Sequence, residues 1–129
     1  MAPFKTTHSL ETRRKESSRI IQKYPERIPV IVERSTSAEK TMNEIDRKKY
    51  LVPASLTWGE FLAIVRKRLK LEPSQSIFMF VSDEVLVSTG TLVGQVYEQH
   101  KDPDDGFLYA QYASESTFGW AKDIVQLLH

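Results

Sequence analysis

Apolar residues in this chain form short runs and periodic stretches that are separated by polar turns. Residues 28–33 and 48–53 are rich in β-branched and aromatic side chains and predict two strands. The proline near the start of the first strand is compatible with a strand start, and the proline at the end of the second strand favours a position at the sheet edge. The apolar run at residues 77–81 predicts a strand buried on both faces, which we place at the centre of the sheet. Residues 86–87 and 107–112 predict two further strands.

The main helix is predicted from one set of apolar positions and one capping pattern. Thr57 and Glu60 match a capping box, and proline at position 73 predicts the stop. The apolar side chains recur with helical spacing and share a face that we expect in the core, namely Trp58, Phe61, Leu62, Val65 and Leu69.

Two further helices are weaker in pattern. Ser9 is positioned to cap a helix that runs to about Tyr24, before Pro25, and its apolar stripe is narrow among many basic residues. Residues 92–97 predict a short helix, and residues 35–43 a polar loop. Apart from the first helix, the order is strand, strand, helix, strand, short strand, short helix, strand. This order is typical of an α+β fold of the ubiquitin-like β-grasp class.

Composition limits the chemistry. A chain of 129 residues with 40% apolar content fits one domain. The chain contains no cysteine, which excludes disulfides, thiolate catalysis and cysteine-bound zinc. No run of about eighteen apolar residues and no signal-peptide pattern occurs, so we expect a cytosolic protein.

The net charge of +1 hides a strong polarity. Residues 1–70 hold 16 basic and 8 acidic side chains (+8), whereas residues 71–129 hold 2 and 9 (−7). A basic half of this kind is compatible with acidic peptides, acidic lipid, microtubules or RNA, and also with a solvated surface that has no partner.

Catalytic and metal-binding patterns are missing. His8, His100 and His129 have no matching carboxylate or cysteine spacing, so no metal site and no catalytic triad is predicted. The acidic segment at residues 102–106 departs from a calcium loop and is interpreted as a turn. No phosphate-binding glycine motif occurs, and the aromatic residues follow core periodicity, so neither cofactors nor nucleic acid are expected.

Five blocks of residues together resemble one family. They are Lys-Tyr-Pro-Glu-Arg-Ile-Pro-Val-Ile-Val-Glu (23–33), Lys-Lys-Tyr-Leu-Val-Pro (48–53), Arg-Lys-Arg-Leu (66–69), Gly-Phe-Leu-Tyr (106–109) and Phe-Gly (118–119). Their order and spacing over about residues 8–119 are similar to the autophagy-related protein 8 family, which includes GABARAP and microtubule-associated protein light chain 3. The resemblance implies a ubiquitin-like modifier with additional N-terminal helices.

The resemblance also implies a fate for the C-terminus. In the family, a cysteine protease cuts after a glycine, and activating and conjugating enzymes transfer that glycine as thioesters to phosphatidylethanolamine. Gly119 matches the glycine and Phe118 the aromatic residue before it. The chain would have no catalytic residues of its own, because the thiols belong to its partners. The implied location is the cytoplasm, then the autophagosome membrane, and the vacuole or lysosome.

A second implied site is a groove that binds aromatic-x-x-aliphatic motifs of autophagy receptors and adaptors by strand addition. The aromatic pocket would be formed by Glu16, Ile20, Pro29, Lys49, Leu51 and Phe107. The aliphatic pocket would be formed by Tyr50, Val52, Pro53, Leu56, Phe61 and Ile64. Acidic residues beside the motif would be attracted by Arg13, Arg14, Lys48, Lys49 and Arg68.

The expected organisation is a helical extension at 1–26 packed on the core, a ubiquitin-like domain at 27–119, and a tail at 120–129 that processing removes. The tail also holds Trp120, Ile124, Leu127 and Leu128 at helical spacing, a stripe that would let it dock and hide the cleavage point. The alternative function is therefore a non-conjugated ubiquitin-like adaptor that binds motif peptides or microtubules.

Overall fold

The computed structural model describes residues 2–38, 42–82 and 85–114. Two helices come first, α1 at Phe4–Thr7 and α2 at Leu10–Lys23, followed by strand β1 at Arg27–Arg34. A 3-10 helix at Thr36–Ala38 leads to β2. The remaining elements are β2 at Lys49–Pro53, α3 at Trp58–Leu69, β3 at Ile77–Val81, β4 at Val85–Leu86, α4 at Val93–His100 and β5 at Leu108–Ser114.

The strands form one mixed sheet in the order β2-β1-β5-β3-β4. β1 and β5 run parallel, and the other neighbouring pairs are antiparallel. This arrangement confirms the α+β ubiquitin-like prediction and the edge position of β2. The central position assigned to β3 was wrong, because β5 occupies the centre between β1 and β3. Burial on both faces of a strand does not fix its place across a sheet.

The starts of α2 and α3 follow the predicted caps, whereas α3 ends before the stop predicted from Pro73. Ser9 accepts a hydrogen bond from the Thr12 amide at the start of α2, and Thr57 and Glu60 form the reciprocal capping box of α3. α3 ends at Leu69 because Lys70 adopts a left-handed conformation, with φ of 56°. The structure adds the short helix α1, which the apolar pattern had not indicated.

Apolar side chains pack on both faces of the sheet. On one face, α3 and α4 cover the larger cluster, which includes Trp58, Phe61 and Val96. Ala38 and Met42 are also buried there, so the segment predicted as a polar loop contributes to the core. On the other face, α1 and α2 cover a smaller cluster of Phe4, Ile20, Ile31 and Phe107. In the part of the chain described, no helix is long and apolar enough to cross a membrane.

Candidate functional site

The edge strand β2 has a free side whose backbone groups can be assigned from its pairing with β1. The Val32 amide donates to the Lys48 carbonyl (2.7 Å), and the Ala54 amide donates to the Glu26 carbonyl (2.9 Å). Antiparallel strands bond inward at every second residue. Residues 48, 50, 52 and 54 therefore bond to β1, while the N–H and C=O groups of Lys49 and Leu51 point away from the sheet.

One predicted pocket lies on the α2 face of this edge. Ile20 and Phe107 are buried in the smaller cluster, and Leu51 packs against it. Pro29 lies opposite Leu51 on β1. At the rim, the ammonium group of Lys49 contacts the carboxylate of Glu16. The six residues predicted for the aromatic pocket are thus brought together where α2 meets β1 and β2.

The other predicted pocket lies on the opposite face, between β2 and α3. Val52 and Phe61 are buried, and Tyr50 packs its ring on Phe61 with 5.8 Å between ring centroids. Leu56 joins the same cluster, and its amide donates to the Pro53 carbonyl at 3.1 Å. Pro53 itself lies two residues after Leu51 along β2, so strand alternation places it on the α2 face rather than with the other predicted members. Ile64 follows Phe61 by one helical turn and is 46% exposed. Phe61 lies in the core, so the outer surface of this pocket is formed by the less buried members.

The Tyr50 hydroxyl oxygen is buried and has no hydrogen-bond partner among the described residues. Burial raises the pKa of Tyr50, while the positive charge of Arg68 opposes the rise. An unpaired buried hydroxyl costs free energy in the unliganded protein. The aliphatic pocket therefore contains one unsatisfied polar group.

The cations predicted to attract acidic residues already have partners. Arg13 is paired with Asp105 at 2.5 Å, and Arg14 donates to the Asp104 carbonyl. The ammonium group of Lys48 lies 3.1 Å from the Glu33 carboxylate. Arg68 is paired with Asp46 and lowers the pKa of that carboxyl group by hydrogen bonding. Any acidic ligand must compete with these internal partners or share the cations with them.

Asp105 holds α2 on the sheet, a role that the acidic-turn interpretation missed. Its fully buried side chain accepts hydrogen bonds from Arg13 (2.5 Å), Tyr109 (2.5 Å) and the Phe107 amide (2.9 Å), and its carbonyl accepts one from Ser17. The pKa of Tyr109 is raised mainly by burial and next by its hydrogen bond to Asp105. The bond between Arg13 and Asp105 joins residues 92 positions apart, so no local pattern could have shown it.

The adjacent Gly106 fits the same contact. Its φ of +80° is favoured by glycine, and a Cβ at this position would lie 2.9 Å from the Ser17 hydroxyl oxygen. The Tyr97 hydroxyl donates to the Gly106 carbonyl at 2.7 Å. Close approach of this loop to α2 therefore requires glycine here.

The predicted conjugation residues, Phe118 and Gly119, lie outside the described residues. β5 ends five positions before Gly119, at Ser114. Among the residues described, no group of three or more His, Cys, Asp or Glu side chains is arranged to hold a metal ion.

Comparison with known proteins identifies the family. Residues 12–119 match the family described as "Autophagy protein Atg8 ubiquitin like". Autophagy-related protein 8 of Mycosarcoma maydis is 53% identical over 116 residues, covering 90% of this chain and 95% of that protein. Autophagy-related protein 8d of Arabidopsis thaliana is 52% identical over 119 residues, covering 92% of this chain and 96% of that protein.

A solved structure supports the same relationship. The crystal structure of Trypanosoma brucei ATG8 matches with a TM-score of 0.82 at 33% sequence identity, covering 92% of this chain and 99% of that one. The sequence and structural matches agree with the five blocks of residues and with the observed sheet order. The chain therefore belongs to the Atg8 family of ubiquitin-like autophagy proteins.

Proposed function

We propose that this protein is a lipid-conjugated modifier that recruits autophagy receptors and adaptors through the free edge of β2. The observation that carries the proposal is the geometry of that edge. The backbone groups of Lys49 and Leu51 point outward from the sheet, and apolar side chains lie beside them on each face. An extended peptide that adds a strand there gains backbone hydrogen bonds and places side chains on both faces.

The motif spacing follows from strand geometry. Successive side chains of a strand point to opposite faces, so residues i and i+3 project to opposite sides. An aromatic residue at i enters the pocket on the α2 face, and an aliphatic residue at i+3 enters the pocket on the α3 face. Residues i and i+2 would project to one face and leave one pocket empty.

The conjugation step is assigned to Gly119. A glycine has no side chain, so its carbonyl can approach the cysteine of a processing protease. The carboxyl group that cleavage frees can then be carried as a thioester by the activating and conjugating enzymes. The acceptor is phosphatidylethanolamine in the membrane. Since the chain contains no cysteine, a partner enzyme supplies the thiolate in each of these reaction steps.

Lipidation with a cognate set of purified enzymes and phosphatidylethanolamine vesicles tests the assignment. Gly119→Ala should abolish the lipidated product, detected by intact mass. Gly90→Ala is the matched control, because a Cβ at Gly90 would meet nothing within 4 Å, and it should be lipidated normally. Lipidation of Gly119→Ala at the normal rate would show that another residue is the attachment point.

Peptide binding tests the groove separately. A peptide with Trp and Leu three positions apart should bind, and one with the same composition and a spacing of two should bind at least about tenfold more weakly, since one anchor loses its pocket. Ile64→Ala should weaken binding of the first peptide about threefold. Val85→Ala is its control, because Val85 is a comparably exposed apolar residue on the opposite edge. Equal binding of both peptides would refute the two-face geometry.

The apolar stripe of residues 120–129 supports one alternative, an adaptor that keeps its tail and is never conjugated. Intact mass of the protein isolated from its own cells distinguishes the two. A modifier loses residues 120–129, and an adaptor retains them.

A further inference from the structure

We propose that Arg27 is an internal cap on the free edge of β2 and that an incoming strand must displace it. This inference rests on the proposed peptide groove. It begins with one contact, in which the Nη1 atom of Arg27 donates to the Leu51 carbonyl oxygen at 3.0 Å. The guanidinium group reaches this oxygen from the neighbouring strand.

The contact occupies an acceptor that the groove needs. The inward bonds at Lys48 and Ala54 fix the alternation of β2, so the Leu51 carbonyl points away from β1. Within the strand, the outward carbonyl groups belong to Lys49, Leu51 and Pro53, and that of Pro53 already accepts the Leu56 amide at 3.1 Å. In the unliganded protein, the middle one of these three is bonded to Arg27.

The position of Arg27 explains why it reaches this oxygen. Arg27 lies opposite Pro53 at the start of β1, and Leu51 lies two residues back along β2 on the same face. Side chains two residues apart on neighbouring strands are within reach of long residues. The guanidinium therefore crosses from the α2 face to the rim of the sheet.

A cap of this kind has two consequences. First, it blunts an exposed edge, a common way in which proteins prevent unwanted strand pairing. Second, it makes the edge selective, because a ligand that cannot donate an N–H to Leu51 gains nothing from displacing Arg27. The ligand class is thus an extended peptide with an N–H opposite this carbonyl, which excludes proline at that position.

The test is calorimetric titration of the whole chain with a Trp-Ala-Ala-Leu peptide that has neutral flanks, so that attraction of peptide carboxylates does not contribute. Arg27→Met removes the cap and should tighten binding about two- to fivefold, the range expected for one exposed hydrogen bond that no longer has to be broken. Arg27→Ala should give the same gain, which excludes new contacts by the methionine. The gain should persist at high salt.

Arg66→Met is the matched control. Arg66 also donates to backbone carbonyl oxygens, those of Glu72 and Gln75, but at the far end of α3. It should bind the peptide like the original protein. A comparison of thermal unfolding among the variants checks that the fold is retained.

Ester analogues of the peptide, in which oxygen replaces one amide N–H at a time, identify the donor. When the ester lies at the position facing Leu51, Arg27→Met should bind the peptide no more tightly than the original protein does. If Arg27→Met binds the amide peptide equally or more weakly, the cap is refuted while the groove remains. If the original protein does not bind the peptide, the proposed groove fails and the cap with it.

Discussion

The two faces of the sheet are held by different forces. On the α3 face, large apolar side chains such as Trp58 and Phe61 are almost completely buried in one cluster. On the α2 face, the apolar cluster is small, and a buried ion pair and its hydrogen bonds at Asp105 fasten the helix. The two proposed pockets divide along the same line. The aliphatic pocket depends on apolar packing, whereas the aromatic pocket depends on the ion pair and hydrogen bonds that hold α2 on the sheet.

The largest expected effect lies on the α3 face. Trp58→Ala should lower the free energy of unfolding by about 4 kcal/mol, because Trp58 is only 1% exposed and its removal leaves a large cavity. Chemical denaturation measures the change. The loss of stability should affect both faces of the sheet, since the whole sheet shares this core. A cost below about 1 kcal/mol would show that the α3 face does not dominate stability.

A somewhat smaller and more local effect is expected at Asp105. Asp105→Asn leaves Arg13 without its carboxylate in a site that solvent hardly reaches, at a cost of about 3 kcal/mol. Amide exchange should accelerate most in α2, and binding of the aromatic anchor should weaken, because α2 carries Glu16 and Ile20. Asp104→Asn, which neutralises the neighbouring exposed carboxylate, is the control and should stay within about 0.5 kcal/mol.

The comparison between faces is sharpened by the double change Arg13→Met with Asp105→Leu. Replacing both charges by apolar groups removes the unpaired ion, so stability should recover in part relative to Asp105→Asn alone. Denaturation midpoints of the single and double variants measure the coupling. Strictly additive losses would show that the two side chains do not act as a pair.

The smallest expected effect is a gain. Tyr50→Phe removes a buried hydroxyl group that has no partner among the described residues and should raise the free energy of unfolding by about 0.5–1 kcal/mol. Chemical denaturation again measures it. Destabilisation by a similar amount would mean that the hydroxyl group has a role in the unliganded protein.

Local signals in the sequence were sufficient for the elements and for the edge strand. The capping box at Thr57 and the helical spacing of Trp58 to Leu69 predicted α3 and its first residue, because both depend only on neighbours along the chain. The helix ends at Leu69, before the stop predicted from Pro73, because Lys70 adopts a left-handed conformation. Pro53 correctly indicated the edge. The apolar run of β3 reported burial but not lateral order, which depends on the parallel pairing of β1 with β5.

Long-range polar contacts were beyond local patterns. Asp105 was interpreted as part of an acidic turn, and only the fold brings it into contact with Arg13 and Tyr109. The bond from Arg27 to Leu51 likewise depends on strand register rather than on either residue alone. The pocket residues were predicted by resemblance, and the structure adds which face each one occupies and which cations already have partners.

The most direct measurement is residue-by-residue amide exchange along β2 with and without a Trp-x-x-Leu peptide. Lys49 and Leu51 have amides that point outward, whereas those of Tyr50 and Val52 bond to β1. Peptide binding should slow exchange at Lys49 and Leu51 strongly and change Tyr50 and Val52 little. Uniform slowing along β2, or slowing at the opposite edge strand β4 instead, would contradict strand addition at this edge.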